Sequence, residues 1–348
     1  MTELIPAPDP LGLPVPVWIL VGFKIFGFFV HLIFMNLWVA GLPTAFCLFK
    51  SKPKIADRLL HAMPFFMAFG INAGIVPLLF LQTLYPQFFY PATILQAWFW
   101  FLVIPLLLVA YYSVYLASFG KFRVAATLIA TVLLFSIGLM FSSAMTLTAN
   151  PQAWPKIFME TSKGGAVHGA YLFLNPEVIL RFLLVVGMAF GTLAAYFVLD
   201  AQWFAKNADD KNDLRKLVLL YLLGVFIYGV AGATYALSIE DKLPRFWLFA
   251  NGGGILLGAL LAFSYWRNAN RVSGIALIVV QLLVLASNAI ARQSVQISEL
   301  MKWYDPYKAP VRGEWGSFIF FMVTFIVALG ILFWIGRTAL RRTRSGAI

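Results

Sequence analysis

The sequence predicts an all-α membrane protein, a polytopic helix bundle with about nine transmembrane helices. Hydrophobic residues make up 61% of the 348-residue chain, and charged residues make up only 11%. Several apolar runs exceed the roughly 20 residues that a helix needs to cross a bilayer. Lysine and arginine collect between alternate runs, which is typical of a multi-pass protein with one fixed orientation.

The predicted spans form a single transmembrane domain over residues 1–348, without an internal repeat or a separate soluble domain. They are residues 17–49, 63–85, 94–118, 124–148, 178–204, 215–239, 245–266, 272–291 and 317–336. The first run is longer than one crossing needs. We therefore expect Pro43 to kink or end that helix, or its start to lie in the interface.

The basic residues predict the orientation of the bundle. Sixteen Lys and Arg lie in the segments on one side of the predicted spans, and eight lie in those on the other side. Because basic residues are enriched on the cytoplasmic side, the N-terminus is expected outside and the C-terminus in the cytoplasm. Residues 148–177 and 292–316 then form two long outer loops.

Charge and cysteine content exclude several classes of function. The net charge of +12 is better explained by cytoplasmic membrane flanks than by binding to nucleic acid. Cys47 is the only cysteine in the chain. The chain therefore lacks an internal disulfide, a cysteine-ligated iron–sulfur cluster and a c-type haem attachment site.

The residue that stands out chemically is His31, which lies deep in the apolar first span. An ionisable side chain there is costly and is a functional candidate by default. One interpretation is a ligand to a haem iron. The other is a buried histidine that forms a hydrogen bond to a neighbouring helix or faces a lumen.

A second ligand for such an iron is not evident. His61 lies near the inner surface and differs from His31 in depth by roughly 20 Å at the rise of an α-helix. His168 lies in an outer loop. The thioethers in the outer halves of their spans are further candidates, although methionines in membrane helices usually serve packing; they are Met140, Met145 and Met188.

The outer loops are rich in aromatic residues. An interfacial aromatic belt and a docking surface for another subunit or a redox partner explain this equally well. The candidate interface residues are Trp154, Trp303, Tyr304, Tyr307 and Trp315.

The spans are predicted to lack a run of buried Glu, Asp or Lys, which argues against a proton pump and against a transporter. Asp200 lies near the inner end of its span and is expected to be a paired interfacial carboxylate rather than a proton relay.

Short motifs resemble subunit I of the cytochrome bd quinol oxidases. Phe69-Gly70-Ile71-Asn72 on the second span is similar to the same motif in that family, and His31 falls at its first-span haem ligand. Ala149-Asn150-Pro151 resembles the segment that precedes the family's outer loop. Arg292-Gln293 resembles its Arg-Gln-Pro motif, with Ser294 in place of the proline.

The resemblance also shows departures. The family's other haem-ligand positions fall on Leu184, near Phe249 and near Ala289, none of which can bind iron. The third-span carboxylates are missing from residues 96–105, and the quinol-binding loop shrinks to a few residues around 240–244. The resemblance therefore implies the fold and one haem pocket at most, without a three-haem oxygen-reducing site.

Three functions follow as hypotheses for a chain in the bacterial inner membrane. The first is a subunit of a respiratory electron-transfer complex that carries at most one haem b and docks cytochrome c or another membrane subunit. The second is a haem-free structural anchor whose redox chemistry lies in partner chains. The third is a quinol-oxidising subunit.

Overall fold

The computed structural model describes residues 5–164, 166–167, 175–238 and 244–344. In these residues the regular structure is almost entirely helical, with one short antiparallel hairpin. The helices are α1 (Val17–Leu48), α2 (Pro53–Leu84), α3 (Pro86–Gln96), α4 (Trp98–Ser118), α5 (Arg123–Ala149), α6 (Trp154–Thr161), α7 (Pro176–Leu199), α8 (Ala208–Leu217), α9 (Leu220–Ser238), α10 (Arg245–Asn268), α11 (Arg271–Leu300) and α12 (Trp315–Arg344). The hairpin pairs β1 (Ser162–Lys163) with β2 (Ala166–Val167).

Eight segments of the described chain are long and apolar enough to cross a membrane. They are Val17–Leu48, Pro53–Leu84, Trp98–Ser118, Arg123–Ala149, Pro176–Phe204, Ala208–Leu237, Arg245–Asn268 and Arg271–Leu300. The ninth predicted span lies within α12, of which Trp315–Val327 is apolar. The predicted all-α, multi-pass membrane bundle is confirmed.

The first span, predicted over residues 17–49, is confirmed as one helix: α1 continues through Pro43 to Leu48, so the proline does not end it, because a packed bundle can satisfy the backbone group that a proline frees. Two other predicted boundaries are wrong. The predicted span 94–118 is broken at Ala97, whose φ of 43° ends α3 before α4 begins. The predicted loop 292–316 is helical as far as Leu300, and in this stretch Gln296 accepts from Lys24 while Glu299 pairs with Arg181.

α1 lies at the centre of the bundle and packs against α2, α5, α7 and α11. α4 pairs with α5, α7 with α9, and α10 with α11. The outward faces carry large apolar side chains, such as Phe101, Tyr112 and Phe226, as expected for surfaces in contact with lipid.

The predicted inner ends of the helices are joined by ion pairs. Arg58 on α2 pairs with Asp200, which is buried in a π-helical turn that follows α7. A second pair joins Arg123 to Asp57 at 2.7 Å. Asp200 is therefore a paired carboxylate, as predicted.

The predicted outer end has a core of its own. Leu13 forms a parallel bridge with Val311, and its backbone nitrogen donates to the Pro310 carbonyl at 2.8 Å. This joins the N-terminal segment to the chain that follows α11. The side chains packed beneath it include Val15, Phe88, Phe89, Trp154 and Leu300.

Candidate functional site

His31 sits between α1 and α2, on a seat made by two glycines one turn apart. Its Nδ1 lies 2.7 Å from the carbonyl oxygen of Gly70, within the Phe69–Asn72 motif. A Cβ atom at Gly74 would lie 2.7 Å from the same Nδ1, so only a glycine leaves room for the imidazole. This is the close approach that small residues four apart allow between membrane helices.

The hydrogen bond assigns the chemistry of the two ring nitrogens. A carbonyl can only accept, so Nδ1 carries the proton and Nε2 carries the lone pair. Histidines that bind metals are held in this way, with the other ring nitrogen donating to a backbone carbonyl. The hydrogen-bonded interpretation of His31 is thus correct, and the same bond leaves the lone pair of Nε2 unused by Gly70.

The methionine candidates lie in three different places. Met188 packs with Leu32, Leu285 and Ala289 on the side of α1 that faces α7 and α11, whereas His31 faces α2. Met140 belongs to the central core, and Met145 packs against the outer core. The described contacts therefore do not pair His31 with a thioether.

The other histidines are not part of this seat. His61 is exposed near the predicted inner end, where its Nδ1 bonds the Asp57 carbonyl of its own helix at 2.7 Å. His168 and residues 239–243 of the shortened loop lie outside the described residues. Among the residues that are described, no group of three or more His, Cys, Asp or Glu could hold a metal ion.

A cluster of charged side chains lies in the outer half of the bundle, and the sequence analysis missed it. This outer polar cluster consists of Lys24, Glu177, Arg181, Arg292 and Glu299. Arg181 pairs with Glu177 at 2.6 Å and with Glu299 at 3.5 Å. Lys24 and Glu299 are only 8% and 6% exposed. The expectation that the spans lack buried charge is therefore wrong.

Among the residues that the structure describes, the cluster carries more positive than negative charge. Lys24 donates a hydrogen bond to the amide oxygen of Gln296 and lies 5.7 Å from the centre of the Tyr85 ring. The guanidinium of Arg292 lies 4.8 Å from the centre of the Phe28 ring. The cluster thus has three cations and two carboxylates, an arrangement that favours an anionic group nearby.

Phe28 connects the cluster to the histidine. Its ring contacts Arg292 on one side and lies 6.3 Å from the imidazole of His31. Trp38 lies about two turns further along α1, with its ring 6.5 Å from the same imidazole. The seat and the excess positive charge are therefore neighbours, separated by one aromatic ring.

The positions that the family resemblance assigns to other haem ligands are apolar in the structure as well. Ala289 is buried beside Met188, and Leu184 packs near Gly232. Phe249 is 76% exposed on α10 and points away from the core.

The aromatic residues of the outer segments divide into two groups. Trp154 is only 5% exposed and donates its indole proton to the Leu147 carbonyl at 2.9 Å, so it belongs to the interior of this chain. Tyr307 and Trp315 are 55% and 44% exposed.

Trp303 and Tyr304 are half-buried against the outer core, with the Tyr304 ring 6.4 Å from that of Tyr85. Burial, together with the carboxylate of Asp305, raises the pKa of the Tyr304 hydroxyl. Trp303, Tyr304, Tyr307 and Trp315 thus remain at or near the surface, and Trp154 does not.

The architecture resembles that of a known respiratory enzyme. A comparison with solved structures finds the bd oxidase from Geobacillus thermodenitrificans, with a TM-score of 0.60 and 13% sequence identity. The match covers 90% of this chain and 95% of that chain. No protein-family model and no curated protein sequence matches the chain. The shared feature is the fold, as the motifs implied.

Proposed function

We propose that this chain is a membrane subunit of a bd-oxidase-like respiratory complex and holds one b-type haem through His31. The observation that carries the proposal is the hydrogen bond from Nδ1 to the Gly70 carbonyl, which leaves the lone pair of Nε2 turned away from that carbonyl. It occurs in the motif that resembles the oxidase family, on a fold shared with a bd oxidase.

The residues around His31 suit such a group. A haem b would supply one-electron transfer when bound. His31 would bind its iron, with Gly70 and Gly74 positioning the imidazole. Arg292 and Lys24 would supply positive charge for its carboxylates, and the Phe28 ring lies between Arg292 and His31.

A multi-haem centre does not fit this chain. The resemblance puts the family's further ligands at or near Leu184, Phe249 and Ala289, and apolar carbon cannot bind iron. The same observation favours the second candidate, a haem-free anchor for redox chemistry in partner chains. Quinol oxidation and docking of cytochrome c remain hypotheses about the complex in the bacterial inner membrane.

The histidine is tested by removal. His31→Ala is expected to lower the b-haem content of the purified complex by more than about tenfold, because it removes the imidazole proposed to bind the iron. The content is measured as haem absorbance per chain. His61→Ala is the matched control, since that histidine is exposed and bonded to its own helix. Equal haem content in the His31→Ala variant and the wild type would refute the assignment.

The surface aromatic residues predict where a partner subunit binds. Trp303→Ala or Trp315→Ala is expected to weaken recovery of the partner by about tenfold, since aromatic anchors often dominate interfaces. Recovery is measured by affinity purification from native membranes. Trp98→Ala, on the exposed face of α4, is the control for a lipid-facing tryptophan. Recovery at the control level would indicate an aromatic belt instead.

A further inference from the structure

A cavity of about 380 Å³ lies at the predicted outer end of the bundle. It forms where the N-terminal segment, the junction of α2 with α3 and the segment between α11 and α12 meet. Its volume falls within the roughly 300–1,000 Å³ that is usual for small-molecule sites in proteins. The polar side chains that line this outer cavity include Asp9, Gln87, Tyr90, Tyr304, Arg312 and Glu314.

Two of the three segments that form the outer cavity are fastened to each other. The Arg312 backbone nitrogen donates to the Leu13 carbonyl at 2.9 Å, and its side-chain Nε donates to the Leu11 carbonyl at 2.7 Å. A Cβ atom at Gly12 would collide with the Pro310 carbonyl, so the close approach of these segments requires a glycine. They therefore form one fixed wall of the cavity.

The Gln87 side chain indicates that the outer cavity holds a ligand. Gln87 lies in the first turn of α3, lines the cavity and is only 6% exposed. Neither its Oε1 nor its Nε2 has a hydrogen-bond partner among the described residues. Burying a polar group without a partner costs free energy, which a ligand that binds both atoms would recover.

The charges of the outer cavity argue against an anionic ligand. Arg312 Nη1 lies 3.0 Å from a carboxylate oxygen of Glu314, so these two charges offset each other. Asp9 adds a second carboxylate, which accepts from the Leu11 backbone nitrogen at 2.9 Å. The lining that the structure describes thus has one cation, already paired, and two carboxylates. A phosphate or carboxylate group would be repelled there.

The two amide atoms of Gln87 distinguish between the remaining ligand classes. An ammonium group only donates, so it would satisfy Oε1 and leave the Nε2 donors unpaired. A hydroxyl both donates and accepts, so adjacent hydroxyls on one neutral molecule can satisfy both amide atoms. Such hydroxyls can also donate to the carboxylate of Asp9. Tyr90 and Tyr304 add aromatic surface for the C–H groups between the hydroxyls.

We propose that the outer cavity binds a neutral molecule with adjacent hydroxyl groups, such as a sugar ring, and that Gln87 recognises it. A free sugar and the sugar headgroup of a glycolipid carry the same chemistry. The cavity lies at the predicted outer surface of the membrane, where either source can reach it.

The test is thermal unfolding of the full chain in phosphatidylcholine nanodiscs, whose headgroups carry no hydroxyl. The chain is purified in a detergent without a sugar, because a glucoside or maltoside headgroup would occupy the same site. Methyl β-glucoside probes the free sugar, and nanodiscs with monoglucosyl diacylglycerol probe the glycolipid. At least one of the two is expected to raise the unfolding temperature of the wild type by about 2 °C or more at saturation.

Gln87→Leu removes both amide atoms and should abolish this shift. Without a glucoside the variant should be at least as stable as the wild type, because it replaces an unpaired buried polar group with an apolar one. Gln96→Leu is the matched control at the other end of α3. Gln96 is buried outside the cavity lining and donates to the Met140 carbonyl at 3.2 Å. Its replacement should lower the unfolding temperature but keep the glucoside shift.

Inorganic phosphate and choline chloride are the anionic and cationic probes, and neither should shift the unfolding temperature. A shift with methyl β-glucoside supports the proposal with a free sugar as the source. A shift with the glycolipid alone supports it with a lipid headgroup. The proposal is overturned if neither glucoside stabilises the wild type more than Gln87→Leu, or if phosphate or choline stabilises it equally.

A second measurement covers the case in which Gln87→Leu does not fold. A density map of the wild type with the stabilising glucoside should show a sugar hydroxyl within hydrogen-bond distance of the Gln87 amide. A glucoside bound only elsewhere on the protein would overturn the proposal. Neither experiment reads haem, so the outcome is independent of the function proposed for His31.

Discussion

Replacing Gly224 with alanine is expected to destabilise the bundle by about 3 kcal/mol or more, at the upper end of overpacking effects. α9 meets α7 backbone to backbone at this position. A Cβ atom at Gly224 would lie 2.6 Å from the Gly187 carbonyl oxygen and 3.1 Å from the Gly191 nitrogen. Backbone atoms cannot turn aside as a side chain can, so the helices themselves would have to separate.

Gly229 provides the control for this substitution. It lies on the same helix, and a Cβ atom there would meet no atom within 4 Å. Gly229→Ala should therefore gain up to about 1 kcal/mol from helix propensity alone. The measurement is detergent-solubilised thermal unfolding followed by circular dichroism. Similar unfolding temperatures for the two variants would show that α7 and α9 do not approach so closely.

The second large effect is expected at the inner end of the bundle. Arg58→Met should lower the free energy of unfolding by about 3 kcal/mol, because it leaves the buried carboxylate of Asp200 without its cation. We place the effect at the lower end of the usual range because Arg58 itself is partly exposed. The same unfolding measurement applies.

A double substitution separates this effect from a loss of packing. Asp200→Asn in the Arg58→Met background should recover most of the lost stability, since it removes the unpaired charge. Lys156→Met is the control for an exposed ion pair, with Glu160 at 3.8 Å, and should change stability by less than about 1 kcal/mol. Failure of Asp200→Asn to restore stability would contradict the importance of this pair.

The class of fold was predictable because it depends on the number and length of the apolar runs. Such long runs can be buried only in a membrane or against one another. The boundaries were less predictable because they depend on partners. Arg292 looked like the end of a span, yet the helix continues to Leu300 with its polar residues inside the bundle. Ala97 has no sequence signal that would announce its left-handed backbone.

Of the residues in the candidate site, the sequence predicted only the main one, His31. His31 was evident as an ionisable group in an apolar run, but Gly74 was not, because its role depends on how α1 and α2 approach. Lys24 and Arg181 could have been found, since each is an isolated basic residue within a predicted span or at its edge. The burial of Trp154 depends on how α6 folds back onto α5.

The central claim is that the chain holds one b-type haem, and the most direct test is a reduced-minus-oxidised spectrum of the complex with the haem counted per chain. Any c-type haem is counted separately, because this chain cannot attach one. We expect about one haem b for each copy of the chain, because His31 is the one residue proposed to bind its iron. A complex that contains the chain and no haem b would contradict the proposal, and would leave a bd-oxidase-like fold that serves as an anchor.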